Sequence, residues 1–220
     1  MTAAVVLAAG AGKRMGGDVP KQFLMIGGRP MIAVTLEAFE NCGAVDTVVL
    51  VTGAEHTEYC RKEIVEKYGL RKVRSVAAGG AERYDSVLAG LMAVPDADYV
   101  LIHDGARPYV TEELIRRTAE GAVRYGACTA AVPAKDTIKL ADEEGFIART
   151  LPRKRTWIIQ TPQAFSYELI VKAHALMREQ GMEDVTDDAM CVERSGLARV
   201  KLVEGSYANI KITTPEDLPR

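Results

Sequence analysis

Little in the chain ties it to an oxidising or membrane setting. Its 220 residues hold only four cysteines, Cys42, Cys60, Cys128 and Cys191, with no Cys-x-x-Cys pair among them. Such spacing excludes a zinc-ribbon or dense disulfide framework and reads as reduced thiols. No run approaches the roughly 20 apolar residues needed to cross a bilayer. Lys13 and Arg14 follow the N-terminal apolar run instead of preceding it, the reverse of a secretory signal. The expected compartment is the cytoplasm, with no membrane partner. Neither sign of charge dominates, with 28 Lys and Arg against 30 Asp and Glu and a net charge of −2. That balance argues against general nucleic-acid binding, which shows as a basic domain. Internal repeats, low-complexity tracts and linkers are also lacking, so residues 1–220 are expected to form a single domain with an ample core.

What is present begins with Leu7-Ala8-Ala9-Gly10-Ala11-Gly12-Lys13-Arg14-Met15-Gly16, at the end of the apolar run Ala3–Leu7. A glycine turn after a buried strand lets backbone N–H groups approach an anion, because no Cβ intervenes. Lys13, Arg14 and, further on, Lys21 add three cations, and the combination suits a polyphosphate. Two familiar motifs do not fit. The dinucleotide fingerprint requires a third glycine where Met15 stands, and Gly16-Gly17-Asp18-Val19-Pro20 delays any helix. The P-loop requires Gly-Lys-Ser/Thr, whereas Gly12 is followed by Lys-Arg.

Short β-rich runs at Ala3–Leu7, Thr47–Thr52, Val73–Ala77, Tyr99–Ile102, Cys128–Val132 and Val200–Val203 alternate with helical patterns at Met31–Asn41, Glu55–Tyr68, Asp85–Ala93 and Glu112–Tyr125. Pro30 sits where a first helical residue would, and Thr111 is a good N-cap ahead of two acids. The alternation predicts a Rossmann-like, three-layer α/β fold: a mostly parallel sheet with helices on both faces and ligands beyond the carboxyl ends of the strands. One segment breaks the rhythm. Residues 136–151 read as a β-hairpin with a polar turn and few large apolar residues, and positive charge concentrates at its end and just after it, at Arg149, Arg153, Lys154 and Arg155. A protruding β-arm over about 134–156 is expected to pack on something, such as another subunit.

Two constellations lie at strand ends, and two further features stand apart from them. In His103-Asp104-Gly105-Ala106-Arg107-Pro108, a carboxylate opposite an anionic loop calls for a bridging cation such as Mg²⁺; a turn with an Asp–Arg pair is the plainer explanation. In Gly79-Gly80-Ala81-Glu82-Arg83-Tyr84-Asp85-Ser86, Gly80 permits close approach and Ser86 offers a hydroxyl, although an ordinary capped helix needs no more. Thr186-Asp187-Asp188 reads as an N-cap, and Lys211 is a charge within a β-branched run, where a solvated face explains it as well as a site does.

Together these residues resemble the nucleotidyltransferases of the sugar-nucleotide pyrophosphorylase type, and within them the 2-C-methyl-D-erythritol 4-phosphate cytidylyltransferase family. The resemblance runs from Leu7 to Leu218. It rests on the ordered set Leu-Ala-Ala-Gly-x-Gly-x-Arg-Met, Pro20-Lys21-Gln22-Phe23, Gly-Gly-x-Glu-Arg-x-Asp-Ser, His-Asp-x-Ala-Arg-Pro, Lys135-Asp136-Thr137-Ile138-Lys139, Gln160-Thr161-Pro162-Gln163-x-Phe165, Val185-Thr186-Asp187-Asp188 and Asn209-Ile210-Lys211. It implies transfer of a cytidylyl group from CTP to methylerythritol phosphate with release of pyrophosphate, in isoprenoid precursor synthesis. By the same resemblance Ala8, Ala9, Gly10, Ala11, Gly12, Gly80, Ala81 and Ser86 would hold the nucleotide. Arg14, Lys21 and Lys211 would surround the α-phosphate as catalytic cations, and Asp104 would serve nucleotide-bound Mg²⁺ or another divalent cation. Arg107, Thr161 and Thr186 would lie near methylerythritol phosphate, and Thr137 and Arg153 would cross on the arm to a partner's site in a homodimer. Ala81 departs from the family, where many members carry a polar residue such as Asp. The chain also stops where relatives commonly continue into a terminal helix, which leaves the packing beside Lys211 open.

The chemistry suits these residue types. A phosphomonoester nucleophile is already an anion near −2 and needs no general base. The barrier is repulsion between anions, which cations and Mg²⁺ offset. Three rivals remain: a ribitol 5-phosphate cytidylyltransferase with the same phosphate machinery, disfavoured by Val185–Ala189 with Arg153; a nucleotide-sensing module, disfavoured by the joint presence of Arg14, Lys21, Asp104 and Lys211; and a Rossmann-type oxidoreductase, disfavoured by Met15.

Overall fold

A computed structural model describes residues 1–10, 19–181 and 184–218. Its centre is a seven-stranded sheet. In chain order the elements are β1 (Thr2–Ala8), β2 (Met25–Ile26), β3 (Arg29–Pro30), α1 (Met31–Asn41), β4 (Thr47–Thr52), α2 (Thr57–Tyr59, continuing as a π-helix over Cys60–Glu66), β5 (Val73–Ala78), α3 (Arg83–Met92), β6 (Tyr99–Asp104), α4 (Glu112–Tyr125), β7 (Ala127–Pro133), β8 (Lys139–Ala141), β9 (Ile147–Thr150), β10 (Trp157–Ser166), α5 (Tyr167–Glu179), α6 (Asp188–Ser195) and β11 (Lys201–Glu204). The sheet order is β11-β7-β10-β6-β1-β4-β5. Every neighbouring pair is parallel except the two made by β10, which runs antiparallel to β6 and β7. The α/β, Rossmann-like, mostly parallel expectation holds.

The sheet's two faces bury separate cores. Ala4, Val6, Leu50, Leu101 and Ala130 pack with Leu36, Phe39, Ile64 and Ile115 of α1, the π-helix and α4. Val5, Val49, Val51, Val100 and Ile102 pack with Val87, Leu91, Ile170, Met177 and Val192 of α3, α5 and α6. Alternate residues of one strand thus feed opposite layers, the period-2 geometry of a strand buried on both sides. Each fully buried Leu, Ile or Phe contributes roughly 1.5–3 kcal/mol.

Helix ends follow local chemistry. Thr111 Oγ1 accepts the Leu114 N–H at 3.2 Å, and α4 stops at Gly126, whose φ of 76° suits glycine. Pro30 is the N-cap of α1, one residue earlier than the sequence pattern placed it, because it also closes the short β2–β3 pairing. The segment expected as one helix over Glu55–Tyr68 divides into a 3-10 turn, a three-residue α segment and the π-helix.

The sequence pattern does not mark β2, β3, β10 or α5. β10 carries Gln160-Thr161-Pro162-Gln163, a polar, proline-broken string that looks like loop. Its register against β7 shifts between Ile159 and Gln163, so Gln160, Thr161 and Pro162 leave that ladder, and Thr161 meets the Asp104 N–H at the carboxyl end of β6. α5 carries none of the signals read from the sequence, and α6 only its N-cap at Thr186-Asp187-Asp188. The expected run Val200–Val203 is β11, one residue later. β8 and β9 do form an antiparallel hairpin, exposed along its length.

The seat of α3 matters because this helix starts at Arg83 and carries Ser86. A Cβ on Gly90 would lie 2.3 Å from Val5 Cγ1 and 3.1 Å from Val51 Cγ2. Overpacking of this kind costs about 1–3 kcal/mol, more than the helix propensity gained by alanine offsets. Gly90→Ala is therefore expected to lower the urea midpoint. Gly43→Ala, where the added Cβ meets nothing within 4 Å, is expected to leave it unchanged.

Candidate active site

Two adjoining cavities open at the carboxyl end of the sheet. The first, about 230 Å³, is bordered by the end of β1 (Ala8, Ala9, Gly10), by Lys21, by Gly80, Ala81 and Ser86 after β5, and by Asp104. The second, about 240 Å³, is bordered by Arg107, Gln160, Thr161, Gln163, Thr186 and Asp187. Arg83, Asp104 and Lys211 border both. The small side chains follow from the path of the chain: a Cβ on Gly79 would meet Ala9 Cβ and Ser86 Oγ, each at 2.6 Å. Ser86 Oγ accepts the Gly80 N–H at 3.2 Å and donates to the Glu82 carbonyl at 3.3 Å.

Asp104 is the charge centre. Its Oδ2 lies 2.7 Å from Lys211 Nζ and 3.9 Å from Arg107 Nε, and its Oδ1 lies 3.8 Å from Arg83 Nε. Burial alone would raise its pKa, but Lys211, then Arg83 and Arg107, hold the carboxyl well below the usual carboxylate range. The plain Asp–Arg turn pair exists, since Arg107 follows Asp104 by three residues, but it is one of three such contacts. Burial lowers the pKa of Arg107, and its Nε has no hydrogen-bond partner among the described residues. Gln22, which also borders the first cavity, has an unpartnered buried Oε1.

Lys211 reaches Asp104 from a segment with no regular structure, so it is not the solvated face of a strand. Tertiary hydrogen bonds fix that segment. Asn209, fully buried, donates Nδ2–H to the Thr161 carbonyl at 2.8 Å and receives Arg107 NH1 on its own carbonyl at 2.7 Å. The Gln160 side chain donates to the Ser206 carbonyl at 2.8 Å. On the other side of Lys211, the Ile212 N–H donates to the Ala106 carbonyl at 2.8 Å, and Ile212 packs on Ile26 and Met31. Asp217 then accepts the Thr213 and Thr214 N–H groups at 2.8 and 2.9 Å, which draws its pKa down to about 2. The packing beside Lys211 is thereby defined.

Thr161 borders the second cavity with its hydroxyl already engaged. Its Oγ1 accepts the Asp104 N–H at 3.0 Å and lies 3.0 Å from His103 Nδ1. His103 Nε2 faces the Arg107 carbonyl at 3.2 Å, which can only accept. In the neutral ring Nε2 therefore carries the proton, and the Thr161 hydroxyl donates to Nδ1. What remains at Oγ1 is a lone pair. Thr161 can receive a hydroxyl from a ligand but cannot donate to a phosphate.

Of the residues expected in a site, Ala8, Ala9, Gly10, Lys21, Gly80, Ala81, Ser86, Asp104, Arg107, Thr161, Thr186 and Lys211 all border these cavities. Ala11, Gly12 and Arg14 lie outside the described residues. Thr137 and Arg153 border neither cavity; Arg153 NH2 donates to Thr137 Oγ1 at 2.6 Å on the exposed arm. Arg83 received no role from the sequence although its motif was recognised. Gln163 and Asp187 were also missed: Gln163 donates to Asp187 Oδ2 and accepts the Ala189 N–H, both at 2.9 Å, and so supports the turn carrying Thr186. Thr186-Asp187-Asp188 does cap a helix: Asp187 is the N-cap of α6, and its Oδ1 takes the Met190 N–H at 2.8 Å.

A parallel sheet with a glycine-flanked cavity at its carboxyl ends, walled by one carboxylate and several cations, has the architecture of a nucleotide-using α/β protein. The family model described as IspD: 2-C-methyl-D-erythritol 4-phosphate cytidylyltransferase matches residues 2–220. A relative from Lachnospira eligens bearing that enzyme's name is 48% identical over 219 residues, covering 99% of this chain and 96% of its own. A "Bifunctional enzyme IspD/IspF" from Desulforudis audaxviator is 50% identical over 217 residues, and the chain spans only 55% of that protein. Among solved structures, 4-diphosphocytidyl-2C-methyl-D-erythritol synthase from Anaerococcus prevotii is 34% identical, with a TM-score of 0.84 over 98% of this chain and 94% of that one. The chain belongs to the 2-C-methyl-D-erythritol 4-phosphate cytidylyltransferase family. No helix among the described residues is long and apolar enough to cross a membrane.

His103 yields a stability test. Burial lowers its pKa from 6.5 to about 4, against the opposing pull of Asp104. Between these values the unfolded chain binds the proton and the folded one does not, so stability falls as pH drops from about 6.5 toward about 4. The slope from this group is at most about 1.4 kcal/mol per pH unit. Urea unfolding at pH 7 and pH 5 is expected to show a smaller loss for His103→Gln than for the parent. Equal losses would mean that the ring is not kept neutral.

Proposed function

We propose that the chain transfers the cytidylyl group of CTP to 2-C-methyl-D-erythritol 4-phosphate and releases pyrophosphate. The observation that carries this reading is the wall of Arg83, Asp104 and Lys211 shared by two cavities. A nucleotide in the first and a sugar-alcohol phosphate in the second bring their phosphates together at that wall. Family membership supplies the identity of both substrates.

The reaction forms one bond and breaks one. An oxygen of the acceptor phosphate bonds to the α-phosphorus of CTP, and the bond from that phosphorus to the bridging oxygen of the β-phosphate breaks, leaving pyrophosphate. The nucleophile is already ionised, so no proton has to be removed. His103, fully buried with both ring nitrogens engaged, is not needed as a base. The cost lies in joining two anions. Lys21 and Lys211 border the nucleotide cavity, and we assign them with Arg14 to the α-phosphate, where preorganised cations lower the barrier. Arg107, whose side chain borders the second cavity, suits the acceptor phosphate, and Thr186 and the lone pair on Thr161 suit its hydroxyls. The small side chains of Ala8, Ala9, Gly80 and Ala81 suit a pyrimidine pocket, with Gly10, Ala11 and Gly12 as backbone donors.

The residues fit a divalent cation. Asp104 is an ionised, hard oxygen donor at the cavity wall, and among the ion pairs of the described residues its Oδ1 makes one contact, with Arg83 Nε at 3.8 Å. Asp104 would hold Mg²⁺ there beside the triphosphate, and the ion would supply charge neutralisation.

The arm supports a homodimer. Phe146 and Ile147, each 67% exposed, lie on it, with Leu140, Ile158 and Ile159 also exposed. A two-stranded ribbon with uncovered apolar side chains is marginal alone. In this reading the Thr137–Arg153 pair, which touches neither cavity of its own chain, completes a partner's acceptor cavity. Residues 1–220 then act as one domain, in the cytoplasm.

Pyrophosphate release, measured with four nucleoside triphosphates against methylerythritol phosphate and ribitol 5-phosphate, is expected only for CTP with the former acceptor. Release with ribitol phosphate alone would replace the assignment. Lys21→Ala and Arg14→Ala are expected to lower kcat by about 10²–10³ with little change in CTP affinity, on the scale of losing one oxyanion donor. Arg153→Ala is expected to raise KM for the acceptor. Mixed dimers of Arg153→Ala with Arg14→Ala are expected to regain activity, because one of their sites carries neither lesion. No regain in verified mixed dimers would remove the shared-site reading.

A further inference from the structure

One buried ionic cluster has no part in the chemistry above. Asp188, the first residue of α6, and His174 of α5 are each 1% exposed. Asp188 Oδ1 lies 3.2 Å from His174 Nε2, and its Oδ2 lies 2.8 Å from an Arg83 terminal nitrogen. Oδ2 has no aligned hydrogen bond, so its hold on Arg83 is a close ionic contact. Cys191 Sγ stands with them, and the three possible ligand atoms lie within 4.8 Å of one another. A metal could use that spacing, but these groups are already committed. Asp188 is engaged by His174 and Arg83. The Cys191 thiol, pushed up to about 12 by burial, lies 3.6 Å from Met177 Sδ and 3.7 Å from the Asp187 carbonyl.

The consequence falls on Arg83. Its guanidinium stands between two carboxylates, with a terminal nitrogen at 2.8 Å from Asp188 and Nε at 3.8 Å from Asp104 Oδ1. Burial opposes its charge, but Asp188 and then Asp104 more than offset this, so it stays protonated. Coulomb attraction grows as separation falls and as solvent is excluded. The nearer and more deeply buried Asp188 therefore decides where the guanidinium rests, and it rests outside hydrogen-bond range of Asp104 Oδ1.

We propose that Asp188, oriented by His174, is a positioning residue that holds Arg83 off Asp104 Oδ1 and so keeps that oxygen available to the divalent cation accompanying the nucleotide. Without the Asp188 charge, Asp104 is the one carboxylate still within ion-pair distance of Arg83, with a weaker pull from Asp187. Arg83 then closes on Oδ1 and competes with the metal. This rests on the reading of Asp104 as the carboxylate that serves that cation.

The test measures Mn²⁺ retention in the presence of CTP, from the electron paramagnetic resonance signal of free Mn²⁺, and CTP binding in chelator by calorimetry. The proteins are the full chain, Asp188→Asn, Arg83→Ala, the double variant and Asp104→Asn. Asp188→Asn is expected to weaken Mn²⁺ retention about tenfold while leaving metal-free CTP binding unchanged. In the Arg83→Ala background the same substitution is expected to change retention by less than about twofold, because the group through which it acts is gone. Equal losses in both backgrounds, a matching loss of metal-free CTP, or no loss would overturn the proposal, as would stoichiometric zinc held by the parent and lost from Asp188→Asn. Should Asp104→Asn retain Mn²⁺ as the parent does, the reading of Asp104 fails. Should it lose Mn²⁺ while Asp188→Asn does not, only the role of Asp188 fails. If Asp188→Asn does not fold, His174→Leu, which leaves the Asp188 charge in place but removes the hydrogen bond that orients it, is expected to weaken retention about threefold, and no change would overturn the proposal.

Discussion

A single carboxylate, that of Asp104, draws together cations from three distant stretches of chain: Arg83 from the start of α3, Arg107 from the turn after β6, and Lys211 from the irregular segment after β11. Such a cluster is costly to bury unless it is well paired, and breaking a buried pair is more destabilising than making one is stabilising. The surroundings are accordingly over-determined. The Asp104 backbone is pinned through Thr161 to His103, Arg107 is tied to Asn209, and Lys211 is bracketed by Asn209 and Ile212. These bonds cost organisation during folding. In return the cations stand in place before any substrate arrives.

This arrangement suits a reaction whose difficulty is electrostatic. Two anions must meet at a phosphorus that gains further negative charge as it is attacked. Side chains that have already lost their freedom and part of their hydration need little reorganisation at that moment. Within the free protein the same cations are balanced by Asp104 and Asp188, which keeps the empty cavity from carrying unpaired buried charge.

The fold was legible wherever a segment's own pattern decided it. The apolar runs of β1 and β4 and the helices Met31–Asn41 and Glu112–Tyr125 carry their signals locally, in periodicity and caps. β10 was not legible, because Gln160, Thr161 and Pro162 are there to leave the ladder. Local propensity reads that as loop, and only pairing on both sides makes it a strand. In the site, the glycine turns and Asp104 were readable from their place after apolar runs. The roles of Arg83, Gln163 and Asn209 were not, since each depends on a partner more than twenty residues away in sequence. Resemblance to a family supplied positions such as Lys211 for which spacing alone left two explanations open, and the 2.7 Å contact with Asp104 distinguishes them.

The most direct measurement is anomalous diffraction from crystals grown with CTP and Mn²⁺. The account predicts a peak within coordination distance of an Asp104 carboxylate oxygen, with the triphosphate on its other side and Lys211 turned toward phosphate. A nucleotide seated in the cavity without metal at Asp104, or a triphosphate held elsewhere on the sheet, would contradict it.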